Sequence, residues 1–194
     1  MTTERSFAAL RMTVRSLSSC MITTTRPGVG EYAPSFADYV ARVAEDEDVV
    51  AVLVAQLDQV LAHLGRIPEA RGDYRYAPDK WSVKEIVGHL CDTERVFAYR
   101  ALRIGRGDST PLASFEDQAY VEASRAGDRP LVDLAAEWGD VRRATIALFR
   151  NLPAEAWDRR GTASDRPISV RALAYIIAGH VRHHLQLLEE RYTD

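Results

Sequence analysis

Apolar residues recur at helical spacing in four long stretches of the chain. The first covers residues 49–64, the second follows Ser82 and ends near Gly105, the third extends from Pro130 to Leu148, and the fourth from about Ser169 to Arg191. Residues three and four positions apart share one face of a helix, so each stretch predicts an amphipathic helix. Neither an alternating strand pattern nor an Asn-Gly hairpin signal occurs. The predicted fold class is therefore all-α.

The ends of these stretches carry recognisable helix signals. Ser82 with Glu85 three residues later forms a capping box, and Pro153 closes the third helix. Ser35 is placed to cap a shorter helix through residues 36–43, which the acidic stretch 45–48 interrupts. A long polar connection, residues 108–128, separates helices two and three; such a length is typical of a functional loop or of a crossover in a bundle.

Residues 1–30 have a different composition from the rest of the chain. They are rich in Ser, Thr and Arg, contain one acidic residue, Glu4, and lack sustained helical periodicity. We interpret residues 1–33 as a poorly ordered tail or as a mis-assigned start, with translation beginning at Met12 or Met21; an organellar transit peptide has the same composition. Residues 34–192 are predicted to form one domain.

Overall composition excludes several classes of protein. A chain of 194 residues can bury a sizeable core without disulfides, and a net charge of −3 offers no field that attracts nucleic acid. Only two cysteines occur, Cys20 and Cys91, so we expect no disulfide framework and a reducing, cytoplasmic compartment. No apolar run approaches the roughly 20 residues that a membrane-spanning helix needs.

A pair of histidines lies within the apolar stripe of the last helix. His180 and His184 are one turn apart, on the face that carries Leu173, Ile176 and Leu187. Two inward imidazoles each need a partner, because a buried polar group without one costs about 1–3 kcal/mol. One shared divalent metal ion would partner both. His89, at the edge of the second apolar stripe, is the natural third ligand; alternatively it is an ordinary histidine bonded to a carbonyl.

Other residues of the sequence are candidates for roles near this site. Asp92 could orient a ligand or a bound water, although a solvated helix-face acid is an equal alternative. His63 and His183 are predicted to lie at the surface or beside the ligand set. Cys91 is better read as a packing residue than as a nucleophile. The remaining candidates are three arginines that could anchor an acidic thiol, and three tryptophans that we expect in the core: Arg142, Arg143, Arg182, Trp81, Trp138 and Trp157.

Three segments carry a family resemblance: residues 81–92 (WSVKEIVGHLCD), residues 115–121 (FEDQAYV) and residues 178–185 (AGHVRHHL). In this order they resemble the DinB-like superfamily, also called DinB/YfiT, over about residues 36–192. The resemblance implies a four-helix bundle with a long crossover between helices two and three, a homodimer, and one ion, zinc or nickel, on three histidines. Those histidines fall on His89, His180 and His184.

The resemblance also implies a class of chemistry, in which low-molecular-weight thiols react with small molecules. Our leading hypothesis is a metal-dependent transferase in which a thiolate attacks a small electrophile. A metal-dependent hydrolase of a small molecule is the first alternative. A non-catalytic, stress-related module that binds metal or a small molecule is the second. No catalytic residue can be assigned from the sequence, and we expect neither a nucleic-acid partner nor a membrane partner.

Overall fold

The computed structural model describes residues 25–192. Its four long helices are α2 (Val49–Leu64), α3 (Val83–Gly105), α5 (Leu131–Arg150) and α6 (Val170–Arg191); the shorter elements are α1 (Ala37–Ala41), α4 (Asp117–Ser124), β1 (Arg160–Ala163) and β2 (Arg166–Ser169). The four long helices coincide with the four periodic stretches of the sequence. The helical fold class and the crossover between the second and third long helices are confirmed, and α4 lies within that crossover.

Side-chain caps fix where α3 and α6 begin. Ser82 accepts a hydrogen bond from the Glu85 amide at 3.2 Å, and the Ser82 amide donates to the Glu85 carboxylate at 2.7 Å, so the predicted capping box is present. Ser169 caps α6 in the same way, through the Ala172 amide at 3.0 Å. Because the start of both helices is fixed, the face on which each of their later residues lies is fixed as well.

Ser35 does not cap a helix, contrary to the prediction. The chain makes a 3₁₀ turn over Pro34–Phe36, with Ala33 at its N-cap and without a side-chain cap, and α1 follows directly. Proline lacks an amide hydrogen and has a fixed φ, so it can start a helical turn that needs no donor at its first position. The turn therefore begins two residues earlier than a Ser35 cap would allow.

Helix α6 lies at the centre of the bundle, antiparallel to α3. Residues 172–178 are each at most 2% exposed. The Tyr192 hydroxyl at the end of α6 donates to the Trp81 carbonyl just before α3, at 2.6 Å. Antiparallel packing from this point sets the middle of α6 opposite the first turns of α3.

Gly179 allows α1 to cross α6 at close range. A Cβ atom at this position would lie 1.8 Å from the backbone carbonyl oxygen of Tyr39, far inside van der Waals contact. The close approach brings the Tyr39 ring edge-on to the His180 ring, with centroids 5.3 Å apart. Only glycine permits this crossing, and the crossing encloses one side of the space around His180.

A β-hairpin precedes α6, so the prediction of no strands is wrong for residues 160–169. Strands β1 and β2 pair antiparallel, and Ser164 and Asp165 have φ values of 53° and 57°. Two left-handed residues form the turn that suits the twist of a two-residue hairpin, a position usually filled by Asn-Gly. Leu112 of the crossover bonds to this hairpin: its amide donates to the Thr162 carbonyl at 2.9 Å.

The first residues that the structure describes contact the bundle. Glu31 is 3% exposed, and its carboxylate accepts hydrogen bonds from Arg171 at 2.6 and 2.7 Å. The predicted tail thus has packed contacts from at least this residue onward, while residues 1–24 lie outside the described part of the chain. Among the helices of residues 25–192, none combines the length and apolar character that a bilayer crossing requires.

Candidate metal centre

Three histidine side chains converge inside the bundle. The Nε2 atom of His180 lies 3.0 Å from Nε2 of His89 and 3.1 Å from Nε2 of His184. All three residues are buried, at 5–6% exposed. Among residues 25–192, these three histidines form the group of potential metal ligands, with one ligand atom from each residue and all three atoms within 4.8 Å of one another. The structure thus brings together the three residues that the sequence singles out.

The helices account for this convergence. His180 and His184 are on consecutive turns of α6 and face the same direction. His89 is in the second turn of α3, opposite them because α3 and α6 are antiparallel and joined at Trp81 and Tyr192. No loop contributes to the three-histidine group, so packed helices hold the nitrogens in place.

Burial keeps the three imidazoles neutral. It lowers the pKa of His89 to about 4, with a smaller contribution from His183. Burial, followed by the neighbouring histidines, lowers the pKa values of His180 and His184 well below the usual range. A neutral imidazole has one nitrogen lone pair available for a metal. The three groups are therefore in the protonation state that a metal ion needs.

The spacing of the nitrogens fits a shared ion. Nitrogen ligands lie about 2.0–2.1 Å from a zinc ion. The Nε2 atom of His180 is 3.0 Å from Nε2 of His89 and 3.1 Å from Nε2 of His184. In each pair, one ion between the two nitrogens can lie at the zinc–nitrogen distance from both. The other ring nitrogen of His184, Nδ1, is buried and has no hydrogen-bond partner within residues 25–192; it is not one of the converging nitrogens. A donor set of three neutral imidazoles with converging Nε2 atoms fits a divalent metal.

Two residues flank His89 on its other side. Thr93 Oγ1 lies 3.3 Å from His89 Nδ1, and Asp117 Oδ1 lies 4.0 Å from the same atom. Asp92, the predicted orienting residue, instead pairs with Arg95 at 3.5 Å. Around the helix axis, Thr93, four positions after His89, is rotated about 40° from it. Asp92, three positions after His89, is rotated about 60° in the opposite direction. Thr93 therefore faces the site, and Asp92 faces α5.

An open cavity of about 370 Å³ adjoins the histidines. The Trp81 ring centroid lies 4.6 Å from that of His89, so this tryptophan borders the site, whereas Trp138 and Trp157 are in the core as predicted. His183 is half-buried at the cavity margin. The cavity is lined mostly by aromatic and histidine side chains: Phe36, Tyr39, Trp81, His89, Phe97, Phe115, His180, His183 and His184, with Ser35, Thr93, Arg100, Asp117 and Ser164.

The crossover shapes the cavity mouth, and its helix α4 begins there at Asp117. Phe115 and Asp117 both line the cavity. The Trp81 indole donates to the Gln118 side chain at 2.9 Å and so ties α4 to the start of α3. Burial, aided by neighbouring Glu116, raises the pKa of the Asp117 carboxyl.

The arginines proposed from the sequence as thiol anchors lie elsewhere. Arg142 is fully buried and forms two hydrogen bonds to Glu94, at 2.7 and 2.8 Å. Arg143 pairs with Asp140 on the surface, and Arg182 pairs with Glu47. The arginine that lines the cavity is Arg100, which the sequence reasoning missed. The available signal was its place on the same stripe of α3 as His89.

Cys91 is a packing residue, as predicted. It is 2% exposed and packs among the apolar residues between α3 and α5. Burial raises the pKa of its thiol to about 12. A thiol with such a pKa is protonated at neutral pH and is a poor nucleophile, and the side chain does not line the cavity.

Comparison with known proteins supports this fold. The sequence profile of the DinB superfamily matches residues 52–188. The structure is similar to that of YfiT from Bacillus subtilis, which is described as a probable metal-dependent hydrolase with an unusual four-helix bundle topology. The TM-score is 0.67 at 18% sequence identity, and the alignment covers 84% of this chain and 92% of YfiT.

A second solved structure, the mycothiol-dependent maleylpyruvate isomerase, is also similar. The TM-score is 0.60 at 11% identity, with 70% of this chain and 57% of that protein covered. At these identities, both likenesses establish the fold and leave the reaction open. No curated protein sequence matches the chain.

Proposed function

The chain belongs to the DinB superfamily, and on that premise we propose that it is a metal-dependent enzyme that transfers a low-molecular-weight thiol to a small electrophile. The observation that carries the proposal is the meeting of three buried, neutral imidazole nitrogens beside an open cavity. Catalytic metal sites commonly have three protein ligands and one open position, whereas structural sites have four. We assign His89, His180 and His184 as the ligands of one divalent ion, zinc or nickel.

The charge of the ligand set favours activation of a nucleophile. Three neutral ligands leave the full double charge of the ion uncompensated, and within residues 25–192 the group includes no carboxylate. A divalent ion held by His89, His180 and His184 would lower the pKa of a bound thiol or water and would so supply a nucleophile at neutral pH. The aromatic walls around the histidines limit the access of bulk water to that nucleophile.

The protein's own groups orient the ligands and receive the proton. Thr93 can accept the Nδ1 hydrogen of His89, which leaves the Nε2 lone pair directed at the other two histidines. Asp117 is the carboxylate among the described residues that line the cavity. We assign it the proton that the thiol releases, because the cavity offers this carboxylate as a base, and burial raises its pKa.

A hydrolase is the second candidate, and the similarity to YfiT favours it. YfiT, covered over 92% of its length, is described as a probable metal-dependent hydrolase. The thiol hypothesis has its counterpart in the mycothiol-dependent isomerase. Both reactions would use the same three histidines and differ in whether a thiol or water is the nucleophile.

The first experiment measures the metal. The full chain is purified without chelator, and its bound metals are quantified by elemental mass spectrometry alongside His180→Ala and His184→Ala. His63→Ala is the matched control, because His63 is also buried but lies outside the group. We expect about one ion per chain in the parent and the control, and little in the other two variants. A parent that takes up neither zinc nor nickel on reconstitution would refute the metalloenzyme proposal.

The second experiment separates the two reactions. The metal-loaded protein is assayed with thiols and 1-chloro-2,4-dinitrobenzene for transfer, and with small esters and amides for hydrolysis. Transfer that depends on both the thiol and His180 supports the leading proposal, whereas thiol-independent hydrolysis supports the second. We further propose a homodimer in the cytoplasm, and light scattering after size-exclusion chromatography tests the dimer.

A further inference from the structure

Arg100 lies on the face of α3 that points into the cavity. It follows His89 by eleven residues, or three turns, with Thr93 and Phe97 between them on the same stripe. All four residues line the cavity. The residue is 3% exposed, so its guanidinium belongs to the interior of the cavity and not to the outer surface.

The hydrogen-bond partners of Arg100 are neutral. Its Nη2 atom donates to the Ala113 carbonyl at 2.7 Å and to the Ser164 hydroxyl at 3.0 Å. Within residues 25–192, both hydrogen bonds of this side chain come from that one nitrogen. The crossover supplies the first partner and the left-handed residue of the hairpin turn supplies the second. These contacts hold the side chain in place and leave the other two guanidinium nitrogens available.

No carboxylate oxygen within residues 25–192 lies at ion-pair distance from Arg100, although other arginines of the chain have such a partner: Arg142 has Glu94, and Arg171 has Glu31. Burial lowers the pKa of Arg100, and no neighbouring acid offsets this effect. The rings of Phe97 and Phe115 each lie 5.6 Å from the guanidinium carbon and stabilise the cation in part. A buried cation without a counter-charge is costly, and a bound anion would remove that cost.

We infer that Arg100 is the binding residue for a carboxylate group of the small molecule that occupies this cavity. The inference rests on the proposed function in taking the cavity as the substrate site. A guanidinium donates charge-assisted hydrogen bonds to carboxylate oxygens, here from Nε or Nη1, because both hydrogens of Nη2 already have partners. A second cavity, of about 200 Å³, is also lined by Arg100, Phe36 and Ser164, so Arg100 lies between the two cavities.

At the Arg100 end of the cavity, three turns of α3 away from the proposed metal ligands, the protein's own charges favour a monoanion over a phosphate. Arg100 is the cavity's one arginine or lysine among the described residues, the three central histidines are neutral, and Asp117 is acidic. A phosphate dianion would keep an uncompensated charge among phenyl rings, whereas one carboxylate balances one guanidinium. The aromatic walls suit an apolar body between the carboxylate and the reacting group. The expected ligand is therefore a small organic acid with an apolar or aromatic portion.

The test compares 3-phenylpropionate with its neutral isostere 3-phenylpropanamide. Binding of each to the full chain is measured by calorimetry, with and without bound zinc, for the parent, Arg100→Met and Arg100→Lys. Arg103→Met is the matched control, because Arg103 is on the same helix, pairs with Asp108 and does not line the cavity. We expect the parent and the control to bind the acid about 10 to 100 times more tightly than the amide.

The variants decide the role of Arg100. Arg100→Met should bind both compounds equally, and Arg100→Lys should keep only part of the preference. If Arg100→Met does not fold, the lysine variant and the change in the Arg100 Nε resonance of the parent on adding the acid provide the test. A parent that does not prefer the acid, a preference that persists in Arg100→Met, or one that requires zinc would overturn the inference.

The outcomes are separable from those of the metal experiment. A parent that binds no metal but shows Arg100-dependent preference for the acid would reject the metalloenzyme and retain the carboxylate site. A parent with one ion per chain and no dependence on Arg100 would reject the carboxylate site alone. The metal content of Arg100→Met should equal that of the parent, because Arg100 is not among the ligands.

Discussion

Replacing Glu94 with glutamine should destabilise the protein severely. The Glu94 carboxylate receives two hydrogen bonds from Arg142, at 2.8 and 2.7 Å, and the two side chains are 2% and 0% exposed. The remaining Arg142 nitrogen donates to Gln56 at 2.7 Å, and Gln56 donates to the Ala178 carbonyl at 2.7 Å. This buried network joins α2, α3, α5 and α6 two residues before His180.

The magnitude follows from the charge that is left behind. Glutamine keeps the size of the side chain but removes the negative charge, so Arg142 stays buried without a counter-ion. Breaking a buried ion pair on one side costs about 3–5 kcal/mol, a large part of the roughly 5–15 kcal/mol that stabilises a typical domain. Removing both charges, as in Glu94→Leu with Arg142→Met, should cost much less, because no unpaired ion remains.

Urea unfolding of the metal-free protein, followed by circular dichroism, measures these differences. Asp140→Asn is the control, since it breaks the exposed Arg143–Asp140 pair, whose side chains are 57% and 80% exposed. That change should alter the free energy of unfolding by no more than about 0.5 kcal/mol. A Glu94→Gln variant that loses under about 1 kcal/mol, or a double variant less stable than the single one, would refute the reasoning.

Three further predictions concern the surroundings of the histidines. Gly179→Ala should lower the melting temperature steeply and expose α1 to proteolysis, because its Cβ would lie 1.8 Å from the Tyr39 carbonyl oxygen; an unchanged melting temperature would contradict the close crossing. The metal-free protein should lose stability as the pH falls from about 6.5 toward 4: unfolded histidines bind protons from about pH 6.5, whereas burial lowers the pKa of folded His89 to about 4. A melting temperature that stays constant over this window would argue against that burial effect. Adding nickel should quench tryptophan fluorescence mainly through Trp81, whose ring is 4.6 Å from that of His89; equal quenching in Trp81→Phe would contradict this placement.

Periodicity and capping residues were enough to predict the four long helices. The stripe of α6 that carries His180 and His184 is buried because α6 is covered on several sides. The family resemblance drawn from three motifs is confirmed by the superfamily match. The convergence of His89 on the pair depended on helix packing, which the resemblance supplied. The role of these residues as metal ligands remains a prediction.

The hairpin and the polar partners were not predictable from local patterns. A Ser-Asp turn with two left-handed residues carries a weaker signal than Asn-Gly. Where a charged residue lies within an apolar stripe, the sequence indicates that it is buried. It does not indicate which group the residue pairs with, because that group belongs to a neighbouring part of the fold. Arg142 and Arg100 both occupy such stripes, yet the first meets Glu94 and the second meets only neutral groups. Asp117 reaches His89 from the crossover, across 28 positions of sequence.

One face of α3 relates the two ends of the candidate site. His89 and Arg100 are separated by three turns, so their Cα atoms lie about 16 Å apart along the helix axis. Side chains of helical residues lean toward the N-terminus, which brings the Arg100 guanidinium back toward His89. A rigid helix therefore sets the distance between a reacting group at the histidines and a carboxylate at Arg100. With the metal at the histidines and the carboxylate at Arg100, selection among small acids depends on their length, and the spacing of these residues along α3 sets the length that fits.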